Sequence, residues 1–62
     1  MPMIRVEMFP GRTVEQKRAL AKALTEAFVT HGKTTPEAVS IIFVDVAKED
    51  WATAGVLASD KQ

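Results

Sequence analysis

Pro2, Arg12 and Trp51 are the residues of this chain whose types and positions suit chemistry. Once Met1 is removed, Pro2 presents a terminal secondary amine. Such an amine is a good proton acceptor when its pKa falls toward neutrality, and burial in an apolar pocket or a nearby cation pushes it that way. The plainer reading is a proline that begins an edge strand. Arg12 follows the turn signal Pro10-Gly11. Ten extended residues put it roughly 33 Å from Pro2, so it reaches a neighbour's Pro2 in a symmetric assembly, or else is a solvated turn arginine. Trp51, the single tryptophan, sits in a polar turn as a docking anchor, a pocket wall or both. His31, the single histidine, falls at a helix C-terminus, where the helix dipole favours it as a surface residue.

Other chemistries lack their residues. No Gly-rich phosphate loop, metal cluster or Ser-His-Asp set is present. With no cysteine there is no disulfide framework, thiolate metal site or cysteine nucleophile. No metal and no cofactor are expected.

These residues must be positioned by a small set of elements. Residues 3–9 read as a strand, because Ile4, Val6 and Met8 alternate with Arg5 and Glu7. Thr13-Val14-Glu15-Gln16 has the form of a capping box, and the helix it opens runs to about His31. Leu20, Leu24, Ala27, Phe28 and His31 form the expected inward stripe, with Glu15, Arg18, Lys22, Thr25 and Glu26 mostly opposite. Gly32 is the expected left-handed closing residue. Thr35-Pro36-Glu37 predicts a second, very short helix capped by Thr35. Residues 39–46 are almost continuously apolar, the mark of a strand in a parallel sheet. Residues 48–51 suit one helical turn, and residues 53–59 a small hairpin or extended arm around Gly55.

The expected fold is therefore α/β: a single domain over residues 1–62, a β-α-β protomer with parallel strands and a short C-terminal hairpin. A chain of about 60 residues buries only about 60% of its unfolded surface. Without disulfides or zinc, assembly into an oligomer is the expected reinforcement. Eight Lys plus Arg balance eight Asp plus Glu, which argues against a nucleic-acid partner and against electrostatic membrane binding. The longest apolar run, Ile41-Ile42-Phe43-Val44, is too short to span a bilayer. Arg5, Glu7 and Pro10-Gly11 interrupt the start where the apolar core of a signal peptide would lie, and a cytoplasmic location is expected.

Taken together, Met1-Pro2 before a strand, Gly11-Arg12, Glu15-Gln16-Lys17 opening the helix, the apolar second strand, Ala47-Lys48, Trp51, Gly55 and Leu57-Ala58-Ser59 resemble the 4-oxalocrotonate tautomerase family over nearly the whole chain. The resemblance implies a homohexamer, a trimer of dimers. It implies keto–enol tautomerisation of a small 2-hydroxydienoate or 2-oxo acid, with Pro2 as general base. By the same resemblance Arg12 of another subunit binds a carboxylate, Trp51 is the aromatic pocket wall that helps keep the amine neutral, and Phe9 lies at a subunit junction beside the pocket.

Ser40 stands where the best-known relatives carry a second arginine. A hydroxyl donates one neutral hydrogen bond and lacks the bidentate, charged fork of arginine. Two alternatives stay open. In a hydratase-like or dehalogenase-like relative, Pro2 is protonated and Asp45, Glu49 or Asp50 activates water. In a catalytically silent subunit or self-assembling module, retained Met1 would leave the Pro2 nitrogen an amide without basicity. The Ser40 argument predicts weak turnover of the dicarboxylate 2-hydroxymuconate, about one to two orders of magnitude below a two-arginine relative, and a smaller deficit on phenylenolpyruvate. Ser40→Arg should raise the ratio of the first activity to the second in steady-state assays; an unchanged ratio refutes the argument.

Overall fold

The alternation of Ile4, Val6 and Met8 with Arg5 and Glu7 produces β1 (Met3–Met8) in the computed structural model, which describes residues 2–61. The strand stops one residue short of Phe9, ahead of Pro10, which has no N–H to continue a ladder. Thr13 then caps α1 (Val14–Gly32). The Gln16 N–H donates to Thr13 Oγ1 at 3.1 Å and the Thr13 N–H donates to Gln16 Oε1 at 2.9 Å. Two orphan donors are thereby satisfied, as the capping-box pattern predicts.

The far end of the helix departs from expectation. The left-handed residue is Lys33 (φ 55°, ψ 55°), and Gly32 is the last helical residue. At Gly32 a Cβ would sit 2.7 Å from the ring of Phe28, an exposed side chain that lies against this glycine. The inward stripe is also rotated. Lys17, Leu20, Ala21, Leu24, Thr25 and Val29 are half-buried, whereas Ala27 and His31 are exposed. Phe28 turns back over Gly32, so the apolar pattern at the helix end serves a local contact instead of the sheet.

A 3-10 turn at Pro36–Ala38 follows, and Thr35 makes no side-chain capping bond there. The Val39 N–H closes this turn on the Pro36 carbonyl at 3.2 Å. Val39 is therefore spent before the second strand, and β2 spans Ser40–Asp45 instead of 39–46. β1 and β2 pair in parallel, from Met3 opposite Ser40 to Met8 opposite Asp45. The Ser40 N–H donates to the Pro2 carbonyl at 3.0 Å and the Val46 N–H donates to the Met8 carbonyl at 2.8 Å, one bond at each end.

Paired residues of a parallel ladder share a face. One face carries Ile4, Val6, Met8, Ile41 and Phe43, and α1 covers it. Asp45 lies on that face and meets Lys17 of the helix at 3.8 Å. Met8, at 8% exposure, is the sole buried apolar residue among the described residues. The other face carries Met3, Arg5, Glu7, Ser40, Ile42 and Val44; α1 does not cover it, and among the described residues Asp50, Trp51 and Ala52 stand beside it at Glu7. Met3 remains 57% and Ile42 42% exposed there. Both strands also have an unpaired outer edge. The chain exposes 4863 Å², about 900 Å² more than a compact monomer of its 6.8 kDa presents. The excess is close to the ≈800 Å² that each partner of a standard interface buries.

The C-terminal segment makes a 3-10 turn at Lys48–Asp50, then β3 (Ala52–Thr53) and β4 (Val56–Leu57), an antiparallel hairpin, and a last 3-10 turn at Ala58–Asp60. Among the described residues no helix is long and apolar enough to cross a membrane. The hairpin turn consists of Ala54 (φ 53°) and Gly55 (φ 79°). Two consecutive positive φ values fit a two-residue hairpin turn, whose preferred sequence is Asn-Gly. Alanine in this region costs roughly 1–2 kcal/mol. Ala54→Asn is expected to stabilise the protein by about 0.5–1 kcal/mol in urea unfolding at fixed protein concentration; a loss of stability refutes this reading of the turn.

Candidate active site

Parallel pairing assigns the candidate residues to two ends of the sheet. At one end lies Pro2, half-buried, its carbonyl tied to the Ser40 N–H. Ser40 is also half-buried, and its register with Met3 directs its side chain to the face away from α1. Pro2 and Ser40 are thus neighbours within one chain.

At the other end lie Phe9, Arg12 and Trp51. Phe9 directly follows β1. The turn after it contains Gly11 at φ 123°, a backbone state that L side chains rarely adopt. This turn brings out Arg12, which is exposed and has no ion pair among the described residues. Trp51 is held from both sides. The preceding 3-10 turn is closed by the Asp50 N–H on the Ala47 carbonyl at 2.8 Å, and the Trp51 carbonyl accepts from the Ala58 N–H at 2.7 Å. Its ring meets Phe9 with centroids 4.7 Å apart and planes tilted by 54°. That separation lies in the range of favourable aromatic pairs.

The six residues of β1 place about 20 Å between the two ends. One chain therefore brings Pro2 to Ser40, and Phe9 to Trp51, but does not unite the two pairs.

Two cavities meet at Trp51. One, of about 460 Å³, is lined by Phe9, Lys48, Trp51, Thr53, Ala58 and Lys61. Lys48 Nζ stands 5.8 Å from the Phe9 ring centroid, within cation–π range. The other, of about 260 Å³, is lined by Glu7, Val46, Asp50, Trp51 and Ala52. The indole thus separates a cationic recess from an acidic one. A larger groove of about 630 Å³ runs along α1 beside Pro36 and contains none of the candidate residues. Among the described residues no cluster of His, Cys, Asp or Glu is placed to hold a metal ion. Of the acids considered for water activation, Asp45 is paired with Lys17, and Asp50 lines the small acidic recess.

Lys48, Thr53 and Lys61 are site-lining residues that received no role from the sequence. The available signal was spacing. In a 3-10 turn, residues three apart lie on one side, and Lys48 stands three before Trp51.

The tautomerase enzyme family model matches residues 2–61. The curated "Probable tautomerase RSp1151" of Ralstonia nicotianae is 40% identical over 57 residues, covering 92% of this chain and 88% of that protein. The crystal structure of YwhB, a homologue of 4-oxalocrotonate tautomerase, superposes with a TM-score of 0.94 at 34% identity, covering 98% of this chain and all of the other. A heterohexamer 4-oxalocrotonate tautomerase from Chloroflexus aurantiacus superposes with a TM-score of 0.91 at 29% identity over the full length of both chains.

The Phe9–Trp51 contact generates a direct test. Phe9→Ala should shift the emission of the single tryptophan to longer wavelength as water reaches the indole. It should also cost about 0.5–1.5 kcal/mol beyond the lost apolar area. Unchanged emission would contradict the packing described.

Proposed function

The chain belongs to the tautomerase family, and on that premise we propose that it is a keto–enol tautomerase of small 2-hydroxydienoates or 2-oxo acids, with Pro2 as its base. The observation that carries this reading is the fixed position of Pro2. Its carbonyl occupies the first rung of the ladder, which anchors the residue and leaves its nitrogen free of structural duty. Met1 lies outside the described residues; with it removed, that nitrogen is a secondary amine.

The proposed reaction moves one proton. The Pro2 nitrogen takes it from the 2-hydroxyl oxygen of the enol, and the oxygen's electrons form the carbonyl. The double bond shifts, and the ammonium returns the proton to the carbon that needs it. The amine is regenerated, so atoms and charge balance. For this the amine must be neutral at working pH, which an apolar surrounding favours. Phe9 and Trp51 provide such a surface at the opposite end of the sheet. The proposed site therefore combines Pro2 of one copy with Phe9, Arg12 and Trp51 of another. Arg12 binds the substrate carboxylate and draws electron density toward it. Ser40 offers one neutral hydrogen bond beside Pro2, which leaves a second carboxylate poorly held.

The proposed assembly is a homohexamer in which copies cover the open sheet face around Met3, Ile42 and Val44. The excess surface of the isolated chain supports assembly. A second reading is a silent subunit of a mixed oligomer. Ser40 favours it, as does the likeness to a heterohexamer relative.

The test uses protein whose intact mass shows that Met1 is absent. Pro2→Ala should lower kcat/KM for phenylenolpyruvate by at least about a hundredfold, the lower range for a general acid–base group, with the native mass of the oligomer unchanged. Equal activity of the two proteins overturns the role of Pro2. An inactive but fully trimmed homo-oligomer supports the silent subunit.

A further inference from the structure

We propose that Lys48 and Lys61 form an anion subsite on the Phe9–Trp51 wall, which takes the carboxylate of a planar unsaturated or aryl acid. The inference rests on the tautomerase reading for its place in a reaction, and on the cavity alone for its chemistry.

The recess of about 460 Å³ is lined by two lysines, one hydroxyl and two aromatic rings, with no acidic residue in the lining. Its size falls within the usual range for small-molecule sites. Neither lysine has an ion pair among the described residues, although Glu49, Asp50 and Asp60 are sequence neighbours. Lys48 instead stands over the Phe9 ring. Its ammonium therefore borders both an aromatic surface and open cavity. An acid with a flat π-system fits this combination: its plane lies against Phe9 and Trp51, and its carboxylate meets Lys48. Lys61 supplies a second positive charge, and the Thr53 hydroxyl a neutral donor.

The recess on the other side of Trp51 sharpens the case. Glu7, which meets Arg5 at 3.8 Å, and Asp50 line it, so its lining offers a carboxylate no cation. The two-lysine recess is therefore the better anion site of the two. Arg12 emerges at the same end of the sheet but does not line this recess. These lysines lie at the end of the sheet away from Ser40, so the subsite leaves the expected weakness toward dicarboxylates in place.

The single tryptophan reports occupancy directly. The probe is 3-phenylpropanoate, compared with its neutral amide, 3-phenylpropanamide, by Trp51 fluorescence titration of the trimmed oligomer. The acid is expected to bind about tenfold more tightly than the amide, the scale of a charge-assisted contact. Lys48→Met should remove most of that preference, Lys61→Met part of it, and Lys48→Arg should preserve it. Amide binding should stay constant in all three variants, which shows that the pocket remains folded. Equal affinities of acid and amide for the unmodified protein overturn the subsite. So does a preference that survives Lys48→Met combined with Lys61→Met. A KM for phenylenolpyruvate that rises about tenfold in Lys48→Met, with kcat little changed, ties the subsite to turnover. Acid preference without any turnover in the parent protein rejects the tautomerase reading and leaves the subsite standing.

Discussion

The parallel ladder between β1 and β2 is the interaction on which every other contact depends. It is held by a helix that crosses from the end of one strand to the start of the other, and it is bonded at its limits by Ser40 to Pro2 and Val46 to Met8. A two-stranded sheet has two faces and two edges. One helix covers one face. Among the described residues the remaining face keeps Met3 and Ile42 exposed, and both outer edges have no strand to pair with. The protein is a full set of secondary structure with half a core.

The same ladder governs where chemistry can occur. In a parallel pair, both strands start at one end and finish at the other. Pro2 and Ser40 are therefore companions by topology, as are the residues that follow the strands, Phe9 and the segment leading to Trp51. No side-chain rotation overcomes a separation of about 20 Å. The incomplete core and the separation of the candidate residues are two expressions of one constraint: a chain this short sets Pro2 and Ser40 at one end of its sheet and Phe9 and Trp51 at the other.

Much of this was legible in the sequence because it depends on local rules. The two-residue alternation marked β1, and the Thr13–Gln16 box marked the start of α1 to the residue. Pro10-Gly11 and Gly55 marked turns. What failed to show was competition between nearby contacts. Val39 belongs to an apolar run, yet its N–H closes a turn on Pro36 and is lost to the strand. Gly32 has the composition of a helix stop, yet Phe28 folds over it and Lys33 takes the left-handed state. Ala27 and His31 obey the helical period, yet the half-buried stripe is rotated away from them toward Ala21, Thr25 and Val29. At the candidate site, Pro2, Arg12 and Trp51 stood out by residue type, and Ser40 only through the family resemblance. Lys48 did not, because a lysine in a polar turn looks solvated until a ring is found beneath it.

The bond between the Ser40 N–H and the Pro2 carbonyl also divides labour within one residue. The ladder claims only the carbonyl of Pro2, and in the proposed mechanism reactivity falls to its nitrogen. A residue exchanged for Pro2 keeps the same carbonyl for Ser40, so the proposed chemistry is separable from the pairing of the strands as a bit is from its handle.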